Sequence, residues 1–137
     1  IREMIMKDFV VISCGGGGIP VLRDKKGMLK GVSAVIDKDF AAERLASLID
    51  AEMLLLITSV SQVSIFYGTP KQKALGRITL DEAKQYWDEG HFPPGSMGPK
   101  IEAAIRFLDS GGKKTIITSL EGIEAAIKGE GGTEIVA

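Results

Sequence analysis

The sequence predicts an α/β fold: a three-layer sandwich with a mostly parallel sheet, helices on both faces and a small β-hairpin excursion. Three observations point there. Two apolar runs of strand length, residues 9–13 and 53–58, lack the in-out alternation of a half-exposed strand and suit strands covered on both faces. Segments with apolar residues at helical spacing alternate with the strand-like runs, most clearly Ile101, Ala104, Ile105 and Leu108 at i, i+3, i+4 and i+7. Glycine and proline clusters separate the two kinds of segment. Buried strands alternating with amphipathic helices are the pattern of layered α/β domains.

The elements follow in order. Residues 9–13 (Phe-Val-Val-Ile-Ser) read as a buried strand stopped by Gly15, Gly16, Gly17 and Gly18. Residues 21–23 and 28–32 flank Asp24-Lys25-Lys26-Gly27, a polar turn with a glycine free to take positive φ, and read as a hairpin projecting from the sheet. Asp37 caps a helix whose inner side is expected to carry Ala41, Ala42, Leu45, Leu48 and Ile49. Residues 53–58 are the second buried strand, and residues 63–67 a short third one ended by Gly68-Thr69-Pro70. Thr79 and Glu82 have capping-box spacing and open a helix through Trp87, beyond which Gly90, Pro93 and Pro94 forbid continuation. Ile101 begins the next helix, which Gly111-Gly112 ends. A strand at 115–118, a last helix capped by Ser119 with Leu120, Ile123 and Ile127 inward, and a strand at 133–136 complete the chain.

With 137 residues, 45% hydrophobic and 26% charged, the chain is large enough for a real core and lacks the signature of disorder. Lys+Arg 17 against Asp+Glu 18 leaves a net charge of −1, so no global basic field recruits nucleic acid, and any phosphate contact must be local. One cysteine, Cys14, makes no intrachain disulfide, and one histidine, His91, gives no zinc-ligand spacing. No apolar run approaches the roughly 20 residues of a membrane span, so no membrane partner is expected and a reducing, cytoplasmic setting fits best. The opening Ile1-Arg2-Glu3-Met4-Ile5-Met6-Lys7 reads as a helix fragment running straight into a strand. The chain is therefore expected to be cut from something longer, its site assembled from two halves.

On a parallel sheet, ligands bind beyond the carboxyl ends of the strands, which directs attention to three loops: Gly15 to Gly18, Thr58 to Ser61, and the Asp37 to Asp39 entry to a helix. The four glycines after residues 9–13 expose backbone N–H groups with no Cβ in the way, the logic of an anion-binding nest, and they fit neither a dinucleotide fingerprint nor a Walker A loop. Asp37-Lys38-Asp39 opens a helix. Asp is the usual cap, but Lys38 is a cation at the positive end of a helix and makes sense if an anion shares the place. The loop Gly95-Ser96-Met97-Gly98-Pro99-Lys100 puts a second lysine near a helix start, and two such lysines suggest a phosphate clamp; Lys100 as a solvated surface residue is the alternative. Cys14, Tyr86 and Trp87 read as packed side chains, and Tyr67 as packed or stacked on a flat ring.

Four strings taken together closely resemble the carbamate kinase family: Cys14-Gly15-Gly16-Gly17-Gly18-Ile19-Pro20-Val21, Ala34-Val35-Ile36-Asp37-Lys38-Asp39-Phe40, Glu89-Gly90-His91-Phe92, and Gly95-Ser96-Met97-Gly98-Pro99-Lys100 with Ile101-Glu102-Ala103-Ala104-Ile105-Arg106-Phe107. They occur in the family's order, correspond to its carboxy-terminal half and separate it from acetylglutamate, uridylate and aspartate kinase relatives. The resemblance implies a two-lobed α/β sandwich, a homodimer when complete, that interconverts ATP plus carbamate with ADP plus carbamoyl phosphate using Mg²⁺. It implies that the missing amino-terminal lobe supplies most of the carbamate site and that this half, residues 1–137, is the nucleotide-binding lobe. Lys38 and Lys100 would neutralise the transferring phosphoryl group and Asp37 would orient them. Thr58, Ser59, Val60, Tyr67, Met97, Gly98 and Pro99 would line the nucleotide pocket, with Gly15, Gly16 and Gly17 approaching the inter-lobe cleft.

Such a site needs positioning and positive charge more than covalent help, which removes the anomaly of a lysine at a helix start. Many members of the family carry Asp where Ser59 stands, so one negative group near the nucleotide is absent here. The resemblance leads to the expectation that Lys100→Ala cuts turnover by orders of magnitude with little loss of folding stability. The half alone is expected not to turn over. The alternatives are a non-catalytic nucleotide-binding or regulatory module and a purely structural dimerisation remnant.

Overall fold

A computed structural model describes all 137 residues. Along the chain run α1 (Arg2–Ile5), β1 (Val21–Arg23), β2 (Leu29–Gly31), α2 (Lys38–Leu48), β3 (Met53–Thr58), β4 (Ser64–Ile65) and β5 (Lys73–Ala74). Then come β6 (Arg77–Thr79), α3 (Leu80–Asp88), α4 (Met97–Asp109), β7 (Lys114–Ser119), α5 (Ile123–Ile127) and β8 (Thr133–Val136). The main sheet has the order β3-β7-β8-β6. Two of its three pairings, β3 with β7 and β6 with β8, are parallel, and β7 with β8 is antiparallel. Helices lie on both sides, so the α/β layered class holds, with a mixed sheet in which parallel pairing predominates.

Register decides which side chains meet. Leu54 opposite Thr115, Leu56 opposite Ile117, and Ile135 opposite both Thr115 and Ile78 place these residues on one face, where all are buried against α2, α3 and α4. Ile101, Ala104, Phe107 and Leu108 of α4 join them in one core, as the i, i+3, i+4, i+7 spacing requires, Ile105 packing at its edge. On the opposite face α5 lies against β7, burying Ala126, Ile116 and Thr118. The capping box forms in full: Thr79 Oγ1 accepts from the Glu82 amide (3.2 Å) and Glu82 Oε2 accepts from the Thr79 amide (2.7 Å). The hairpin β1–β2 closes over the Asp24 to Gly27 turn, with Asp24 Oδ1 accepting from the Lys26 and Met28 amides.

Several sequence expectations are corrected. Residues 9–13 form no strand: residues 10–13 make no backbone hydrogen bond, and Val10 and Ile12 are 95% and 97% exposed. A buried-type strand needs ladder partners, and no strand of the main sheet pairs with it, although the outer edge of β3 is open. The strand expected at 63–67 shrinks to β4, because Phe66 takes φ 53° and turns the chain out of extended conformation; β4 pairs with the unforeseen β5. In α2, Leu48 points to solvent, and the buried stripe is Asp39, Glu43 and Ala46, because this helix packs against α4 as well as β3. Helix α4 starts at Met97, four residues before Ile101. The last helix starts beyond Gly122, whose amide donates to Ser119 Oγ (3.2 Å), so Leu120 precedes it, and both Leu120 and Ile127 are exposed rather than inward.

The starting ends of β3 and β7 are tied by the Lys113 and Lys114 amides, both donating to the Glu52 carbonyl, and by Lys113 Nζ donating to the Glu52 carboxylate. That hydrogen bond and the charge of Lys113 hold the Glu52 carboxyl below its ordinary 4.5. A depressed carboxyl pKa adds stability that is present above the unfolded value and lost as pH falls through the folded one. In Lys113→Met the Glu52 pKa, followed by NMR titration, should rise to about 4.5; an unchanged value would assign the shift to something other than Lys113.

Candidate functional site

The site is built where two helices begin. Asp37 is extended (φ −65°, ψ 132°), and its Oδ1 accepts from the Asp39 amide at 2.7 Å, capping α2 as its sequence position predicts. Lys38, the first helical residue, is exposed and makes no salt bridge, so its ammonium stands free at the positive end of α2. Asp39 turns inward. Lys100, in the first turn of α4, reaches across to it, and Nζ donates to Oδ1 at 3.0 Å and Oδ2 at 2.8 Å. Both residues are only 6% exposed.

This pair adds Asp39 to the residues expected from sequence. The acid that holds Lys100 is Asp39, whereas the Asp37 side chain is engaged in capping. Lys100 is not a surface residue, and its removal would strand a buried carboxylate. The burial of this pair argues against little stability loss in Lys100→Ala, because breaking a buried pair on one side costs about 3–5 kcal/mol. Asp39 escaped sequence reading because capping accounts for aspartates at a helix start. The available signal was the i, i+4, i+7 stripe Asp39, Glu43, Ala46, a polar face with a neighbour to meet.

The glycine loop comes to the same place. Gly15 and Gly16 are exposed, but Gly17 is buried against the segment leading into α2. A Cβ at Gly17 would sit 2.2 Å from the Ile36 carbonyl oxygen, and its φ of 149° also disfavours any other residue. An open cavity of about 320 Å³ lies between the two segments, lined by Cys14, Gly16, Gly17, Ile19, Val35 and Ile36 among others. On α4, Gly98 is buried, its amide donates to the Pro93 carbonyl at 3.2 Å, and a Cβ there would come within 2.9 Å of that oxygen. Met97 and Pro99 are half-buried beside it.

The remaining expected residues lie elsewhere on the fold. Thr58 ends β3, opposite Ser119 of β7, with exposed Ser59 and half-buried Val60 following. Tyr67, 69% exposed, sits on the turn between β4 and β5. No hydrogen bond connects Thr58, Ser59, Val60 or Tyr67 to the paired helix starts. No group of three or more His, Cys, Asp or Glu side chains is arranged to hold a metal ion, and no helix is long and apolar enough to cross a membrane.

Two variant series test this geometry. Asp39→Asn and Lys100→Ala should each lose about 3–5 kcal/mol in denaturant unfolding, and the apolar double replacement Asp39→Leu/Lys100→Met should lose less than either; additive losses would mean that the two side chains do not act as a pair. Gly17→Ala should lose about 1–3 kcal/mol while Gly16→Ala, whose Cβ meets nothing within 4 Å, stays near wild type. Equal effects at the two glycines would remove the close approach to Ile36.

Comparison with known proteins places this arrangement. The model of the amino acid kinase family matches residues 1–119. Carbamate kinase from Thermococcus kodakarensis is 48% identical over 136 residues, and that from Clostridium perfringens is 53% identical over 137. Each match covers 99% of this chain and 43% of the relative, so the chain spans less than half the length of these proteins. The structure of carbamate kinase from Giardia lamblia bound to AMP-PNP superposes with a TM-score of 0.94 at 41% identity, covering 98% of this chain and 42% of the other. The chain belongs to the amino acid kinase family, and its similarity is to the carboxy-terminal half of carbamate kinases.

Proposed function

We propose that this chain is the nucleotide-binding half of a carbamate kinase, acting in reversible phosphoryl transfer between ATP and carbamate. The observation that carries this reading is the buried Asp39–Lys100 pair locking two helix N-termini together, in a chain that matches carbamate kinases over nearly its whole length. In the ATP-forming direction the P–O bond to the carbamoyl group breaks and one to the β-phosphate of ADP forms, releasing carbamate. Charge spread over the transferring group is met by the free ammonium of Lys38 and by N-terminal amides of α2 and α4 other than those of Asp39 and Gly98, which are already engaged. Lys100 adds a cation whose place is fixed by Asp39. Thr58, Ser59, Val60, Tyr67 and Met97 are the residues proposed to receive the nucleoside end. Mg²⁺, when bound, would be held chiefly by the nucleotide's phosphates and water, since this ion ordinarily takes only one or two carboxylates and the chain has no carboxylate cage, and it would help neutralise phosphate charge.

The partner in this reading is an amino-terminal lobe carrying most of the carbamate site. A surface suited to it is present. Phe9, Val10, Ile12, Ile19, Leu22 and Val35 are large, apolar and exposed in the first 36 residues, beside a glycine loop that ends at the site. A surface of that kind is characteristic of a protein interface rather than of a monomer's exterior. The open edge of β3 offers unpaired N–H and C=O groups to a further strand.

Titration calorimetry with ADP, paired with an assay of ATP formation from carbamoyl phosphate, tests the reading. The chain alone should bind ADP without turnover. Adding the amino-terminal half of a relative should restore turnover and slow hydrogen exchange at residues 10–13. In that complemented enzyme Lys38→Ala should lower kcat by about 10²–10³ with ADP affinity nearly retained. ADP binding without restored turnover favours a non-catalytic nucleotide-binding module, and absence of ADP binding rejects the proposal.

A further inference from the structure

His91 is the only histidine and takes no part in the chemistry proposed above. It lies between α3 and α4, with a side chain only 12% exposed. Its ring meets that of Phe66 edge-on, with centroids 4.4 Å apart at 72°, and that of Tyr86 at 5.9 Å and 67°. Its Nε2 is 3.1 Å from Glu89 Oε2, and its amide donates to the Tyr86 carbonyl at 3.1 Å. The ring is thus held by α3 on one side and presses on Phe66 on the other.

Phe66 occupies a left-handed conformation, φ 53°, that is uncommon for an aromatic residue. Its carbonyl accepts from the Thr69 amide (3.1 Å) and Thr69 Oγ1 (2.7 Å), which fixes the turn that presents Tyr67 to solvent. On the other side the chain from His91 passes through buried Phe92 to Pro93, whose carbonyl receives the Gly98 amide where no Cβ fits. Gly98 shares the first turn of α4 with Lys100. An unbroken series of tight contacts therefore joins the turn bearing Tyr67 to the turn bearing Lys100, and the ring of His91 is the one link made by side-chain packing alone.

We propose that His91 is a positioning residue: its ring clamps the Phe66–Tyr67 turn to the loop that precedes α4, and so sets the span between the wall that receives the nucleoside end and the cation that meets the phosphates. This rests on the nucleotide-binding reading above. The active element is the ring edge rather than the Glu89 contact, because only the ring reaches Phe66. Edge-to-face aromatic pairs are worth enough to make the turn's order depend on this one contact, on the scale of about a two- to tenfold change in an equilibrium.

The full chain and three variants test it: His91→Ala, His91→Gln, which keeps a partner for Glu89 without the aromatic edge, and His91→Phe, which keeps the ring without that partner. Without ligand, hydrogen exchange at Gly68 to Gln72 should quicken in the Ala and Gln variants and stay near wild type in Phe. ADP affinity should fall about two- to tenfold in Ala and Gln and recover in Phe. Unchanged exchange in both Ala and Gln overturns the clamp, as does a Phe variant that behaves like Ala. Quickened exchange with unchanged ADP affinity overturns the positioning role, and wild-type chain that binds no ADP overturns the nucleotide reading on which that role rests.

Discussion

A carboxylate and an ammonium taken out of water together govern how the two halves of the site are arranged. Asp39 and Lys100 lie 61 residues apart in sequence and meet through two hydrogen bonds at nearly complete burial. Neither charge is tolerable there without the other, so α2 and α4 are held at the one offset that lets these side chains touch. Apolar packing between the helices permits sliding at modest cost, whereas a bidentate contact does not. What the pair contributes is therefore mainly register. That register fixes the start of α4 relative to the start of α2, which carries Lys38.

The division of labour between the two lysines follows. Lys38 is exposed and unpaired, which leaves its charge available and its four-carbon stem mobile; Lys100 is buried and fixed. In the phosphoryl transfer proposed above, the two would differ in the same way, one cation free to follow the group and one fixed in place. Gly17 fits the same scheme. Its missing side chain lets the glycine loop rest against the Ile36 carbonyl, immediately before the capping Asp37, so a third segment is referred to the α2 start.

Features governed by chemistry within a few residues were legible in the sequence: the Thr79–Glu82 capping box, the Asp37 cap, the β1–β2 turn, and the apolar stripe of α4. The layered α/β class was legible too, because strand-length apolar runs and helical spacing alternate along the chain. The Asp39–Lys100 pairing was not, since a capping motif and a surface lysine look the same whether or not their elements are later packed together. Leu48, Leu120 and Ile127 misled for a related reason. Apolar character says that a residue can be buried, but the neighbours of the helix decide which face is. Phe66 is a third case: its strand-like surroundings concealed a left-handed backbone.

Residues 9–13 reverse that lesson. Their composition is that of a covered strand, yet Phe9, Val10 and Ile12 are exposed and residues 10–13 make no backbone hydrogen bond, beside a sheet whose β3 edge is open. Composition and surroundings disagree: the segment suits a covered environment, and the strands of this chain do not supply one. The same segment runs directly into the glycine loop that Gly17 anchors at α2. Ordering it as a strand would therefore constrain the loop at the site, where Gly15 and Gly16 are exposed. In the proposed two-lobed enzyme, pairing of this stretch and closure of the site would draw on the backbone groups of one short segment of chain.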